Sequence, residues 1–396
     1  MIDFAVIGGG IVGASAAYRL AKSGANVTLV DAALPGQATA AGAGILPPDE
    51  HFSRAPQLRP LLKWGRQHYS QLIAELADDS LPVDFYETAG ALQIARTTAE
   101  LEQLLELEQH WCALREEGFA HIGEVCRLNP QQTERVAPVV QRAALGALYA
   151  RGAARVDGRV LLRRLKAAFT RRGGQWVEGS AALQREGDQI AGVSVGEQHI
   201  KAEAYLVSGG CWTGELTRAL GIRLPIRPER GQLLCLRLPS PQAGVPTLLG
   251  FDFTYAIVYP DGSAVAGATR EDTGYDSNSS LAAVHQLCGK ALALAPGLSR
   301  AALSGVRVGL RPVTVDGAPI VGQLWPLTNT FVAAGHGSYG LELGPGTGAL
   351  VADLMLRRQP ALDLSLLSSR RFLEPGSGRD AATAFVEHQR HGQNCG

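Results

Sequence analysis

A short apolar run, Asp3-Phe4-Ala5-Val6-Ile7, leads directly into Gly8-Gly9-Gly10-Ile11-Val12-Gly13, and this junction constrains the fold more than any other part of the chain. Ala14 to Ser23 follow with helical spacing of small and apolar residues, then a stop at Gly24 and a second β-prone run, Asn26 to Val30, ending on Asp31. Strand, G-x-G-x-x-G, helix, strand and acid thus succeed one another within about 30 residues, the order of a dinucleotide-binding βαβ unit. Gly8 permits the tight turn, Gly10 lets backbone N–H groups approach a pyrophosphate, and Gly13 allows helix to pack closely on strand. Asp31 is placed for a ribose hydroxyl pair. A glycine-rich turn alone would carry little, but the full context favours a dinucleotide over a structural turn. It does not separate NAD from FAD.

The totals bound the rest. With 396 residues, 46% of them hydrophobic, the chain has apolar surface for two or three cores or two interleaved lobes. The 37 basic and 37 acidic side chains cancel, so nothing electrostatic points to nucleic acid or an anionic membrane as the main partner. A small-molecule ligand is expected. Six cysteines, from Cys112 to Cys395, show no C-x-x-C pair, which reads as reduced thiols in a cytoplasm. The uncharged stretch from Phe4 to Tyr18 is not read as a signal peptide, because Asp3 precedes it and four glycines interrupt it. No run reaches the length of a membrane span. No metal-ligand spacing or nucleophile-elbow pattern appears.

Two further segments are poor in side chains. Gly36 to Leu46 is a run of small residues after the second strand, which reads either as a flexible linker or as backbone lying against a flat ring. Its return to Ile45-Leu46 without charge favours the ring. Near the C-terminus, Phe331 to Ala334 reads as a strand, Gly335-His336-Gly337-Ser338-Tyr339-Gly340 as a glycine-rich turn, and Pro345 to Leu356 as an apolar helix beginning near Thr347. A helix N-terminus there could face the electron-rich edge of a reduced flavin.

With these blocks in view, the chain resembles the D-amino-acid oxidase superfamily of FAD-dependent oxidoreductases, in its glycine oxidase and D-amino-acid dehydrogenase-like branch. The resemblance runs through Val6 to Gly13 with Asp31, Ala38 to Leu46, Tyr205 to Gly214, and Gly309 to Gly322 followed by Ala333 to Leu350. It implies non-covalent FAD. Gly8, Gly10, Ile11, Val12 and Gly13 would hold the pyrophosphate and Asp31 the ribose. Thr39, Ala40, Gly42, Gly44, Ile45 and Leu46 match the segment beside the pyrophosphate and isoalloxazine, and Ala182 the adenine-binding position. Gly209 and Trp212 lie in the block that packs under the cofactor. Gly335, His336, Gly337, Gly340 and Leu341 match the turn over the pyrimidine end. Taken singly, Trp212 would read as a core aromatic and His336 as a structural histidine.

The resemblance also makes Arg311, in Gly309-Leu310-Arg311-Pro312, the ligand of a substrate carboxylate above the flavin. A guanidinium suits that task because two parallel N–H bonds fix orientation as well as charge. Otherwise Arg311 would be one of 32 arginines on a solvated surface. Tyr255, Tyr259 and Tyr339 are further candidate substrate contacts, the first two on one strand face if the strand is regular. The family needs no side-chain base, so no catalytic acid or base is assigned; Asp78-Asp79 and Glu116-Glu117 read as solvated helix faces. The substrate turn departs from that of glycine oxidases, some of which carry a basic residue where this chain has Gly337-Ser338-Tyr339.

These readings predict an α/β (α+β overall) protein: a Rossmann-like FAD lobe from 1–80, 145–225 and 305–370, and an interleaved antiparallel-sheet substrate lobe from 81–144 and 226–304. Strand-like runs are expected at Gln232 to Leu238 and Ala256 to Ala268, helices at Ala99 to Glu117 and Val160 to Arg172, and a flexible tail over 373–396. The expected reaction oxidises a small amino acid or secondary amine to the imine by hydride transfer to flavin N5, with electrons passing to O2. The alternatives are a quinone or partner subunit as acceptor and a flavin-bearing subunit with a vestigial site, and a homo-oligomer is compatible with each.

Overall fold

A computed structural model describes residues 2–48, 58–242 and 244–373. The tail expected from 373 onward lies, beyond Leu373, outside the described residues. Ile2–Ile7 forms the middle of a six-stranded sheet, flanked by Ala202–Val207 and Val27–Asp31 in parallel register. Gln175–Glu178 continues the sheet on one side, and Thr330–Ala334 with the antiparallel edge Ile320–Gln323 on the other. Val6, Leu29, Leu206 and Val332 are fully buried, as strands covered on both faces must be.

One face of this sheet carries the helices Ile11–Lys22 and Gly340–Met355, which cross at the glycines. A β-carbon at Gly344 would come 2.7 Å from Ile11 Cγ2, and one at Gly348 would come 2.7 Å from Ser15 Cβ. The other face is covered by a separate three-stranded antiparallel sheet, Ala182–Glu186, Gln189–Val195 and Gln198–Ile200, through Ile190, Val193 and Ile200.

The second large sheet has eight strands and is antiparallel except where Thr247–Leu249 runs beside Ala91–Ala95. Its long strands are Ile226–Arg237 and Ala302–Thr314, paired over their whole length. The helix Leu281–Leu294 covers one face with Leu287, Ala291 and Leu294. The other face turns toward the glycine loop and forms the site described below. The chain is a mixed α/β protein, as its sequence predicts.

Several elements differ in detail from their sequence expectations. The run from Ala256 to Ala268 is a hairpin, Tyr255–Val258 and Ser263–Gly267, because Pro260-Asp261-Gly262 closes a turn between them. Gly146–Ala150 and Ala302–Thr314 pair in the eight-stranded sheet, although the first of these strands and the second from Gly305 on fall inside ranges expected for the cofactor lobe. The C-terminal helix begins at Gly340, not near Thr347, and carries Pro345 inside it. Proline 345 cannot donate to the Leu341 carbonyl one turn back. The buried Tyr69 hydroxyl donates to that carbonyl instead, so the helix continues through the proline. Asp79 is no solvated residue: the Tyr18 hydroxyl and Arg172 guanidinium both donate to it. Burial pushes its carboxyl up, but those two hydrogen bonds outweigh burial and leave its pKa lowered.

Candidate active site

The glycine loop ends the central strand in a cradle of bare backbone. Gly8 has φ +106° and lies so close to the Ser208 carbonyl that no side chain fits, and a β-carbon on Gly13 would collide with the Gly8 carbonyl oxygen. Gly10 stands at the N-cap of the helix Ile11–Lys22 without a side-chain cap, and the first turn holds no acid. The nearest atom to a β-carbon there would be Thr39 Oγ1 at 3.5 Å, so the positive end of the helix is open to an anion. Thr39 accepts from the Ile11 N–H at 3.1 Å and ties the loop to the small-residue segment. Asp31 accepts from the Gly9 N–H at 3.2 Å and from Gln37 Nε2 at 3.2 Å, which leaves a carboxylate with further lone pairs for ribose hydroxyls. An open helix N-terminus, a loop without β-carbons and an acid at the next strand end fit a dinucleotide pyrophosphate and ribose.

The small-residue segment forms a short helix, Ala38–Ala41, and the strand Ile45–Leu46. Gly44 (φ +77°) presses on the Val156 carbonyl, and a β-carbon at Gly42 would meet Leu341 Cδ1 at 2.9 Å. This segment lies across the open face of the eight-stranded sheet. Gly309 sits under Ala41, and Gln37 bridges to Leu310. Beyond it, Ala43, Ile45 and Tyr259 pack on Leu233, Ile257 and Val265.

Register then fixes which side chains share that face. Glu229 pairs with Arg311, Gly231 with Gly309 and Leu233 with Arg307; Leu233 also pairs with Gly267, and Gly267 with Tyr255. Directly paired residues of an antiparallel sheet point the same way. The Arg311 guanidinium lies over Gly231, where a β-carbon would come 2.5 Å from Arg311 Cζ. It donates from Nη1 to Glu229 Oε1 at 3.0 Å and to the Thr269 carbonyl at 3.0 Å. Thr269 is itself held, its hydroxyl accepting from the Gln232 N–H and donating to Glu271, which Arg230 anchors at 2.6 Å. The phenol of Tyr255 stands over Gly267. Burial pushes Tyr255 up to about 12, against the pull of Arg311 and Arg307, so it remains a hydroxyl donor. Tyr259 follows the strand end, its ring 4.8 Å from the guanidinium of buried Arg155.

The C-terminal turn reaches the same place. His336 bridges to Val313, two residues beyond Arg311, and Leu341 packs on Gly42 and Gly158. Gly335 and Gly337 have φ of +85° and +55°. Buried His336 meets Thr347 Oγ1 through Nε2 at 3.1 Å, which ties the turn to the helix that follows. Tyr339 is the N-cap residue and Gly340 the first residue of that helix. The structure thus brings together Gly8 to Gly13, Asp31, Thr39 to Leu46, Arg311, Tyr255, Tyr259 and the Gly335 to Leu341 turn. Gly209 and Trp212 lie beyond the strand next to the central one, Trp212 stacked on Tyr275 with ring centroids 6.1 Å apart. Ala182 opens the separate three-stranded sheet, four residues after the strand that pairs with Asp31.

Burial holds His336 and His68 neutral, each pushed down to about 4. In the unfolded chain both protonate near the ordinary value of about 6.5. Stability is therefore at its plateau above that value and falls as the pH drops from about 6.5 to about 4, by about 3 kcal/mol for each imidazole. Thermal melts between these limits should show a steady loss of Tm. His336→Gln should remove part of the slope.

Glu229, Thr269, Arg307 and Arg155 also line this region, and none was singled out by its sequence. Arg155 donates to Glu87 Oε2 at 2.8 Å and to the Val258 carbonyl at 3.1 Å, so its role is to brace the tyrosine strand. Trp176 lies against Gly9 and under Lys166 at 4.5 Å, beside Asp31. Among the described residues no group of three or more His, Cys, Asp or Glu is arranged to hold a metal ion. No described helix is long and apolar enough to cross a membrane.

The FAD dependent oxidoreductase (DAO) family profile matches residues 3–354. An uncharacterized oxidoreductase of Bacillus subtilis, YurR, is 35% identical over 368 residues, covering 92% of this chain and 98% of its own. Glycine oxidase of Pseudomonas aeruginosa is 28% identical over 362 residues, covering 90% and 96%. Among solved structures, iminodiacetate oxidase from Chelativorans sp. BNC1 superposes with a TM-score of 0.85 at 31% identity, covering 92% of this chain and 98% of that one.

Proposed function

We propose, on the premise that this chain belongs to the family of FAD-dependent oxidoreductases, that it oxidises a small amino acid or secondary amine to the imine and passes the electrons to O2. The observation that carries this reading is the placement of Arg311 on a glycine floor, facing the small-residue segment Ala38–Ala41. Bound non-covalently, FAD supplies a two-electron acceptor for the hydride that leaves the substrate α-carbon. The chain's own groups bind and orient. Backbone N–H groups of Gly10 to Gly13 hold the pyrophosphate, Asp31 the ribose, Ala182 and its neighbours the adenine, and Thr39 to Leu46 with Gly335 to Leu341 the ring system.

Arg311 takes the substrate carboxylate, and this fixes where the adjacent carbon lies. Glu229 and the Thr269 carbonyl hold one side of the guanidinium and aim the other edge. The Tyr255 hydroxyl donates to the same carboxylate, while Tyr259 and Tyr339 wall the site. No side chain is assigned to remove a proton; the amine enters neutral, and the bound orientation does the rest. The six-stranded sheet with its helices serves as the cofactor lobe and the eight-stranded sheet as the substrate lobe. Free Cys112, Cys126, Cys211, Cys235 and Cys288 suit a reducing cytoplasm.

The test is anaerobic mixing of the yellow protein with glycine, sarcosine, D-alanine, D-proline and iminodiacetate. Bleaching of the flavin by at least one, and peroxide formation on admitting air, are the expected results. Reduction of a dye without peroxide would make the enzyme a dehydrogenase, and a flavin that no amine bleaches would overturn the reading.

A further inference from the structure

The substrate face carries one cationic side chain that the carboxylate-binding scheme leaves unused. Arg307 shares the face with Arg311, four residues away on the strand Ala302–Thr314. Between them lie Gly309, which Ala41 covers, and its partner Gly231, over which the Arg311 guanidinium lies. Arg311 folds back over Gly231, toward Arg307. The cross-strand row from Arg307 runs through Leu233 and Gly267 to Tyr255, so both arginines border the floor on which the Tyr255 phenol stands.

The charges here do not balance. Arg311 is paired with Glu229 at 3.0 Å and Arg155 with Glu87 at 2.7 Å. Among the described residues no carboxylate pairs with Arg307, and its Nε is buried without a hydrogen-bond partner. An uncompensated guanidinium with a buried, unused donor is costly unless an anion completes it. Its field reaches the site: Arg307 lowers the pKa of both Tyr255 and Tyr259 against the larger opposite effect of burial.

We propose that Arg307 binds a second carboxylate on the substrate, and that the enzyme acts on amines carrying two acid groups, such as N-carboxymethyl amino acids or acidic D-amino acids. Arg311 holds the carboxylate next to the carbon that is oxidised, and Arg307, four residues back along the same strand, holds the distal one. Two guanidinium anchors at opposite ends fix both position and length of the ligand, which one anchor cannot do. The inference rests on the amine-oxidation reading for where the substrate sits, so its test must not depend on turnover.

Diglycolate, an ether with two carboxylates, and methoxyacetate, its relative with one, cannot be oxidised as amines. Each is titrated into the oxidised FAD-loaded protein, and the perturbation of the flavin spectrum reports Kd. Diglycolate should bind about ten- to a hundredfold tighter, the worth of a charge-assisted hydrogen-bonded pair. Arg307→Met, checked for retained flavin and Tm, should erase that preference and leave methoxyacetate within about threefold. Arg307→Lys should restore part of the preference, and Arg307→Gln replaces the methionine variant if the latter loses flavin. Equal affinities in the unaltered protein, a preference that survives in Arg307→Met, or no binding of either acid would overturn the proposal. Anaerobic flavin bleaching by amines judges the amine-oxidation reading separately.

Discussion

Arg311→Leu is expected to raise KM for any carboxylate-bearing amine about a hundredfold while the protein remains yellow. The guanidinium supplies a charge and a planar fork, and hydrogen bonds to a charged partner are each worth about 1.5–3 kcal/mol. Leucine removes both. It also strips Glu229 of its partner at 3.0 Å, leaving Arg270 at 3.5 Å as the remaining cation on a carboxylate whose side chain is 10% exposed. The site would then present a negative group to an incoming carboxylate, so repulsion adds to the lost attraction. Arg311→Lys keeps the charge without the fork and should fall between the two. Steady-state KM beside the flavin absorbance of each variant checks the prediction. An unchanged KM with flavin retained would remove Arg311 from the substrate site.

Gly13→Val is expected to give a protein that does not take up FAD and is destabilised by about 3 kcal/mol or more. The obstacle is backbone: the new β-carbon would strike the Gly8 carbonyl oxygen and would lie 2.5 Å from Ser208 Oγ. The carbonyl cannot swing aside, because Gly8 is bound on both sides, by its N–H to the Val30 carbonyl at 2.8 Å and by its carbonyl to the Ser208 hydroxyl at 3.2 Å. Gly289→Ala is the control. It lies inside the helix Leu281–Leu294 with nothing within 4 Å of the added carbon. There the smaller backbone entropy of alanine should stabilise by about 0.5–1 kcal/mol. Flavin content after reconstitution and Tm separate the two glycines. A Gly13→Val protein with full flavin would show that the loop is not the pyrophosphate site.

The residues that were legible in advance act locally or sit in dense motifs. Gly8, Gly10 and Gly13 answer to sterics within one turn, and strand, loop and helix follow within about 30 residues. Arg307 was not legible, because alternation along a strand says which residues share a face but not which face meets the cofactor lobe. That is decided by pairing with Leu233, distant in sequence, and by the Ala38–Ala41 segment lying above Gly309. Arg155 is one arginine among 32, distinguished only once the fold sets it beside Glu87 and Tyr259. Pro345 misled for the opposite reason. Locally it forbids a helix bond, and only Tyr69, from a distant helix, makes continuation past it tolerable.

The crossing of Ile11–Lys22 with Gly340–Met355 ties the opening of the chain to its last well-packed helix. A ribosome releases the Gly8 to Gly13 loop roughly twenty seconds to a minute before the glycines that pack on its helix, at 5–20 residues per second. Throughout that interval the nascent N-terminal helix exposes the stripe of Ile11, Val12 and Ser15 that will seat Gly344 and Gly348. The loop's own hydrogen bonds to Val30, Asp31, Thr39 and Ser208 are therefore all in place before its helix gains the close-packed partner that Gly344 and Gly348 provide.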